Sequence, residues 1–349
     1  MPEEAHRIKR SKWRLVLTSI TLLALLILIY GLRDDIRGVI DNLGKVNTWA
    51  LLLIIPIEFL NYDAYSRFYV HLFRILGSKV RYPDMFKLNL ELNFVNHVLP
   101  SGGVSGISYF TVRMRAYHVS GAKATLSQIM KLLILFVSYL PLLVVGLLLL
   151  ALRGHASNFV LIVTSSIITA LIIGTFAFVY MIESRTRINS FLTALTRFLN
   201  RVVGIFRRNN PETISISGAQ MAFNELHDNY KLLKTNWRQL KKPFAFMSIA
   251  NITEVAAVYA VYVAFGEYVN VGAVILAYAV ANFAGLISVL PAGIGVYEAL
   301  MTGVLVATGI PAELSIPVTL MYRVINMVIQ LTPGYYFYQK AVRAGLTVK

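Results

Sequence analysis

Two basic residues in apolar surroundings, Lys131 and Arg323, are the side chains best placed to bind a negatively charged group. Each follows a Pro/Gly break in an apolar run, and an ionisable residue inside a span is a candidate for function by default. An Arg guanidinium contacts a phosphate through two parallel hydrogen bonds. The helix that begins after each break would also aim free N–H groups at the anion. The predicted ligands of a lipid phosphate are Arg323, Lys131, Ser101, Gly102, Gly103, Gly293 and Gly295.

The two breaks occur in the same setting in the two halves of the chain. Pro100 precedes Lys131 by 31 residues, and Pro291 precedes Arg323 by 32. A further proline follows each basic residue by 10 positions. Broken apolar segments at matching places in two halves are typical of the binding site of a transporter. A single break has a simpler explanation as a kink or a close helix contact, but two matched breaks favour a site.

Both basic residues have structural alternatives. Arg323 is followed at i+3 by Asn326 and at i+7 by a glutamine, a polar stripe that predicts a cavity wall. The alternative is a buried ion pair of Arg323 with Glu298 or Glu254, and both roles hold if the pair opens when substrate binds. For Lys131 the alternative is a side chain that extends to the cytoplasmic surface.

Further polar side chains lie in or beside the apolar segments. An unperturbed His side chain titrates near neutral pH, so His97 is a candidate for proton coupling, with a hydrogen-bonding role as the alternative. Two i, i+4 ion pairs are also predicted, Asp63 with Arg67 and Lys87 with Glu91. The predicted polar or coupling residues of the cavity are Glu58, Glu254, Glu298, Asn96, His97, Tyr297 and Asn326.

The composition indicates a polytopic helical membrane protein. Of 349 residues, 57% are hydrophobic and 14% are charged, and no long alternating pattern suggests a barrel. The net charge of +16 fits cytoplasmic loops and anionic lipid rather than nucleic acid. The chain has no Cys, which excludes disulfides and thiolate chemistry. No metal, cofactor or hydrolase motif is present, so we predict no cofactor, no metal and no enzymatic activity.

The hydropathy pattern predicts an all-α fold of about six transmembrane helices and two re-entrant hairpins. Non-helical backbone at membrane depth needs protein or water around it, so each break implies a polar cavity. The predicted single domain contains a first repeat at about 48–152 and a second at about 243–339. The predicted spans are 15–32, 48–73, 124–152, 159–182, 243–265 and 315–337. The predicted hairpins are 84–99 with 104–116, and 271–290 with 293–308.

A basic segment, 183–242, lies between the predicted repeats. It holds 11 Lys and Arg residues against 4 Asp and Glu residues, so we expect it in the cytoplasm. Helical periodicity around Phe191 and Phe198 predicts that it lies along the membrane surface. Following the charges across the membrane places both termini inside and makes the hairpins enter from opposite faces. The repeats are therefore predicted to be inverted, in the cell membrane.

The chain resembles the flippase-like integral membrane family named after the transmembrane region of lysylphosphatidylglycerol synthases. In the first half the similarity rests on Asn96-His97-Val98-Leu99-Pro100-Ser101-Gly102-Gly103 and Gly121. In the second half it rests on Leu290-Pro291-Ala292-Gly293-Ile294-Gly295-Val296-Tyr297-Glu298, Gly309, Tyr322-Arg323 and Pro333-Gly334. The family usually has an acidic residue and an Arg soon after the first Gly pair. Here Val104 and Ser105 follow that pair, and Arg113 comes later.

The resemblance implies movement of lipids or lipid-linked headgroups between leaflets. Full-length lysyl-lipid synthases add a soluble aminoacyl-transferase domain, whereas this chain ends soon after its last predicted span, so transferase activity is not expected. We therefore expect translocation of an anionic phospholipid or polyprenyl-linked lipid, with the membrane, that lipid and a lipid-modifying enzyme as partners. The alternatives are a membrane-embedded lipid phosphatase and a scaffold that recruits enzymes through residues 183–242.

Overall fold

A computed structural model describes residues 18–19, 21–98, 104–152, 158–187, 189–190, 193–194, 216–285 and 295–346. These residues are almost entirely helical, and no strand occurs among them. The first seven helices are α1 (Thr21–Gly31), α2 (Arg33–Leu43), α3 (Thr48–Leu51), α4 (Ile54–Ile75), α5 (Tyr82–Val98), α6 (Val104–Arg115) and α7 (Gly121–Leu152). The others are α8 (Asn158–Ile182), α9 (Ile216–Thr235), α10 (Lys241–Ala264), α11 (Val271–Gly285), α12 (Val296–Ala307) and α13 (Ala312–Arg343).

Four of these helices, α7, α8, α10 and α13, are long and apolar enough to cross a membrane. The integral membrane class predicted from composition is therefore confirmed. The other two predicted spans correspond to α1, a shorter apolar helix, and to α4, whose 22 residues include Glu58, Asp63 and Arg67. The predicted hairpins correspond to two packed pairs of short helices, α5 with α6 and α11 with α12. Their tips lie outside the described residues.

The centre of the molecule is the packing of α4 against α10. Around this pair each long helix crosses to the opposite half: α7 packs against α11, and α13 packs against α5. Glycines permit both crossings. A Cβ at Gly272 would strike the carbonyl oxygen of Gly146, and a Cβ at Gly334 would lie 2.8 Å from the carbonyl oxygen of Leu90. The backbones therefore approach too closely for any side chain at these points.

The two ends of the helix bundle differ in charge. At one end the Asn47 N–H donates to the Ala264 carbonyl at 2.8 Å, and the nearby connections 44–47 and 265–270 carry one basic and one acidic residue. At the other end the Lys123 ammonium donates to the Ser78 hydroxyl at 3.4 Å. The connections 76–81 and 236–242 at that end carry five basic residues and no acidic one.

The predicted basic segment is partly built into the fold. Its helix α9 packs against α7, and Leu226, Tyr230 and Leu233 are buried in the core beside Met114 and Val119. Some of its charges are paired internally, Arg185 with Asp228 and Lys234 with Glu183. One face of α9 therefore belongs to the core, and the predicted location of the segment along the membrane surface stays a prediction. Phe191 and Phe198 lie outside the described residues.

Candidate functional site

Arg323 lies in the middle of α13 and forms an ion pair with Glu298 in the first turn of α12. The side chains are only 4% and 13% exposed. A buried guanidinium needs such a partner because an isolated charge is strongly disfavoured away from water. Of the two partners predicted for Arg323, the structure selects Glu298. Glu254 belongs to a different cluster, described below.

The position of Glu298 follows from the way α12 begins. Gly295 precedes the helix with φ +82° and ψ −44°, a conformation that L residues rarely adopt. Its N–H donates to Oε2 of Glu298 at 2.7 Å. This is the half of a capping box in which the acidic residue of the first turn satisfies a free backbone donor. Glu298 therefore caps α12 with one oxygen and holds Arg323 with the other.

A second carboxylate, Asp35 of α2, joins this cluster. The Asp35 side chain is half-buried and hydrogen-bonded to Glu298. Burial, and next the charge of Glu298, raise the pKa of the Asp35 carboxyl, which lies outside the candidate spans. The Asp35 carboxyl therefore lies beside the ion pair of Glu298 with Arg323, within electrostatic reach of both residues. The sequence offered no signal for Asp35, which was assigned to a connecting loop.

The aromatic ring of Tyr297 forms another wall of the cluster, because the Arg323 guanidinium lies over it at 5.0 Å from the ring centroid. The end of α5 approaches from the other half of the molecule. His97 lies within electrostatic reach of Arg323, and its Nδ1 is 2.9 Å from the Asn93 carbonyl oxygen. The Asn96 carboxamide lies directly over Gly106, where a Cβ would strike it. The cluster therefore assembles between the two helix pairs.

Several predicted ligands cannot be placed in this cluster. Ser101, Gly102, Gly103 and Gly293 lie outside the described residues. Lys131 is half-buried in α7, with its ammonium 5.7 Å from the ring centroid of Tyr65. Within the described part of the chain no carboxylate pairs with it. The matched spacing of Lys131 and Arg323 thus does not give them matched surroundings.

Glu58 and Glu254 form a second polar cluster where α4 meets α10. Gln330 donates from Nε2 to Glu58 Oε2 at 3.1 Å, and the Tyr322 hydroxyl donates to Glu254 Oε2 at 3.0 Å. Asn61 donates to Glu254 Oε1 at 3.2 Å. Across the described ranges no ion pair involves either carboxylate. We refer to these residues, together with Asn326, as the central network.

The polar stripe on α13 serves this central network rather than Arg323. Tyr322, Asn326 and Gln330 are spaced by four residues and form a stripe along α13, and Arg323 lies beside this stripe, about 20° from Gln330 around the helix axis. The Gln330 amide donates to Asn326 Oδ1 at 2.9 Å, and Asn326 donates to the Tyr322 hydroxyl at 3.1 Å. The hydrogen bonds of the stripe lead to the carboxylates of the central network, and its role as a cavity wall stays a prediction. Helix α13 therefore carries Arg323, which pairs with Glu298, and beside it a stripe of neutral side chains that hydrogen-bond to Glu58 and Glu254.

The first helix pair contains an ion pair of its own. Arg113 donates from Nε to Glu91 Oε2 at 2.8 Å and from Nη2 to Oε1 at 3.0 Å. The Tyr109 hydroxyl also donates to Glu91 at 2.7 Å. The predicted pair of Glu91 with Lys87 is wrong, because Glu91 faces α6 and Lys87 is exposed. The local pair of Asp63 with Arg67 is confirmed at 2.7 Å.

A known protein family matches most of the chain, and one relative matches about a quarter of it. A family model described as the lysylphosphatidylglycerol synthase TM region matches residues 14–334. A protein of Methanothermobacter thermautotrophicus described as a UPF0104 membrane protein is 33% identical over 92 residues, which are 26% of this chain and 28% of that protein. The match thus covers less than a third of the relative.

Proposed function

Because the chain belongs to the lysylphosphatidylglycerol synthase transmembrane-region family, we propose that it translocates an anionic phospholipid or polyprenyl-linked lipid between the leaflets of the membrane. The phosphate of the headgroup binds Arg323 while the acyl or prenyl chains stay in the bilayer. The breaks before α6 and α12 are re-entrant tips in this proposal, and their backbone N–H groups complete the phosphate site. Lipid entry and release then occur on opposite faces.

The observation that carries the proposal is a buried arginine whose ion-pair partner, Glu298, and a second nearby carboxylate, Asp35, belong to two other helices. Glu298 comes from α12 and Asp35 from α2, so movement of α12 relative to α13 would release Arg323 from its partner. A phosphate oxygen can accept the charge-assisted contact that Oε1 of Glu298 accepts here, and a second phosphate oxygen can complete a bidentate contact with the guanidinium. The cluster can therefore exchange an internal anion for a headgroup without leaving Arg323 uncompensated in a buried site.

The packing of the helices supports an inverted repeat. When α4, α5, α6 and α7 are matched in order with α10, α11, α12 and α13, each contact between the halves has a counterpart. The packing of α7 on α11 corresponds to that of α13 on α5. The charge difference between the ends supports the proposed orientation, with connections 76–81 and 236–242 and both termini in the cytoplasm.

Replacement of the paired residues by neutral isosteres tests the proposal. Arg323→Gln removes charge-assisted hydrogen bonds worth ~1.5–3 kcal/mol, which corresponds to affinity for a fluorescent phosphatidylglycerol about ten- to a hundredfold lower. Glu298→Gln removes the competing charge and keeps an acceptor for Gly295, so lipid should bind as tightly or more tightly while turnover falls. Lys131→Gln, at a cation outside the cluster, should weaken binding less than Arg323→Gln.

The measurement is lipid binding and leaflet exchange by purified, reconstituted protein, after each variant has been shown to insert and fold. Unchanged affinity in Arg323→Gln would remove this residue from the site. Equal loss of affinity in Arg323→Gln and Glu298→Gln would mean that the pair is only structural. Release of inorganic phosphate from a polyprenyl diphosphate would favour the phosphatase alternative, and dispensable cluster charges would favour the scaffold.

A further inference from the structure

The central network holds two carboxylates deep inside the protein with only neutral hydrogen-bond donors around them. Glu58 is 1% exposed and Glu254 is half-buried. Their donors are the amides of Asn61 and Gln330 and the hydroxyl of Tyr322. These donors stabilise a negative charge by hydrogen bonding but do not neutralise it. The function proposed above uses neither carboxylate.

A continuous chain of hydrogen bonds connects the two carboxylates. From Glu58 it passes through the Gln330 amide, the Asn326 amide and the Tyr322 hydroxyl to Glu254, with successive distances of 3.1, 2.9, 3.1 and 3.0 Å. Carboxamides fix geometry and do not relay protons readily. The chain therefore couples the hydrogen bonding of one carboxylate to that of the other.

The other groups that face the pair do not supply a positive charge. From α4, α7, α11, α12 and α13 the titratable side chains nearest to the two carboxylates are phenols: Tyr62, Tyr65, Tyr139, Tyr278, Tyr297 and Tyr322. From α5 the contribution to the network is the Asn93 amide, which donates to Gln330. Of the nearby cations, Lys131 lies over the ring of Tyr65, and Arg323 pairs with Glu298.

Two like charges in one buried, cation-free network repel each other strongly, and one of them is removed most easily by a proton. We infer that Glu58 and Glu254 share a single proton and that release and uptake of this proton drive lipid translocation. The inference rests on the function proposed above and adds its energy source. Uptake of the proton removes one negative charge from the pair, and its release restores that charge.

A proton fits this site better than a metal cation does. The groups aimed at the carboxylate oxygens are N–H and O–H donors, whereas Na⁺ or Mg²⁺ would need further oxygen acceptors. Among the described residues no group of three acidic, His or Cys side chains could hold a metal ion. A protonated carboxyl also donates a hydrogen bond to its neighbour's network without displacing any of the donors already there.

The test uses the full chain in proteoliposomes and two independent readouts. Infrared difference spectroscopy detects the carbonyl band of a protonated carboxylic acid and needs no lipid substrate. Accumulation of a fluorescent phosphatidylglycerol in one leaflet under an imposed pH gradient detects coupling. One pH unit per proton supports accumulation of up to about tenfold. Glu58→Gln and Glu254→Gln are compared with Glu313→Gln, the same change at an exposed residue of α13.

The wild type and Glu313→Gln should show the infrared band and gradient-driven accumulation. Glu58→Gln and Glu254→Gln should each lose both, while lipid still equilibrates between leaflets. Absence of the band in the wild type from acidic to alkaline pH would overturn the shared proton. If the infrared band is present but lipid transport does not respond to the pH gradient, the coupling of the proton to transport is overturned. The band without any lipid movement would overturn the proposed function and leave the shared proton standing.

Discussion

Replacement of Gly295 by alanine should destabilise the protein through backbone strain and not through a steric clash. Gly295 has φ +82° and ψ −44°, and a Cβ built there meets no atom within 4 Å. Gly303 lies on the same helix α12, is also exposed, and its Cβ would also meet nothing within 4 Å. Gly303 has an ordinary helical conformation. The two replacements are therefore matched in chemistry, exposure and free space, and they differ in the conformation of the backbone.

The matched pair isolates the cost of this conformation. Both replacements remove the same freedom from the unfolded chain, so that contribution cancels in their difference. A residue held in a sparsely populated φ/ψ region costs ~1–3 kcal/mol. We expect Gly303→Ala to be neutral or stabilising, as is usual for a helix interior. The free energy of unfolding of Gly295→Ala should therefore be lower by about 1–3 kcal/mol than that of Gly303→Ala.

Unfolding by SDS in mixed micelles, followed by circular dichroism, measures this difference for the two variants under the same conditions. Gly295→Ala should also weaken the ion pair of Arg323, because the Gly295 N–H orients Glu298. Equal stability of the two variants, or greater stability of Gly295→Ala, would refute the assignment of a positive-φ cap to Gly295. A loss of stability in Gly303→Ala would show that steric crowding of the added Cβ on α12, rather than backbone conformation, determines the change in stability.

Three further predictions follow from features of the fold. Glu91→Gln leaves Arg113 uncompensated in a buried site and should cost ~3–5 kcal/mol in the free energy of unfolding. Gly334→Ala places a Cβ 2.8 Å from backbone atoms of α5 and should lower the free energy of unfolding by ~1–3 kcal/mol, because overpacking forces backbone shifts. A cysteine at Glu267 should react with an impermeant maleimide from outside intact cells, whereas a cysteine at Gln239 should react only after the membrane is opened.

Each of these has a control within the chain. Lys87→Gln changes an exposed charge on the same helix as Glu91 and should alter stability little. Gly174→Ala, where a Cβ meets nothing within 4 Å, is matched to Gly334→Ala. If a variant and its control lose similar amounts of stability, the result would contradict the role given to the buried ion pair of Glu91 or to the close approach of α13 and α5 at Gly334. Labelling, from outside intact cells, of a cysteine that replaces Gln239 would contradict the proposed orientation.

Short-range features of this protein could be predicted from the sequence. Hydropathy identified the membrane class because long apolar runs have few other uses. The pair of Asp63 with Arg67 was predictable because an i, i+4 spacing on a helix brings the two side chains together. The partner of Arg323 was predicted as one of two carboxylates, Glu298 or Glu254, and the sequence does not decide between them because the packing of α12 and α10 against α13 places each carboxylate.

The incorrect predictions concern contacts between distant parts of the chain. Glu91 has a basic residue at i−4, but its side chain faces α6 and meets Arg113, 22 residues away. Asp35 reaches the Arg323 cluster because α2 packs on α13, which no local pattern indicates. Asn326 lies three residues after Arg323 and equally four residues after Tyr322. Helical periodicity alone does not show whether Asn326 shares its hydrogen-bonding partners with Arg323 or with Tyr322.

The packing of the last helix on the earliest ones has a consequence for biosynthesis. The face of α5 that includes Phe94 and Val98 is covered by α13, and Thr21 of α1 donates to the hydroxyl of Tyr338, 317 positions later. At ~5–20 residues per second, ribosomal synthesis delivers α13 on the order of ten seconds or more after α5. During that interval the surfaces of α1 and α5 that α13 later covers are without this partner. A chain that stalls before α13 keeps this apolar surface uncovered, and exposed surface of this kind makes incomplete chains prone to aggregation.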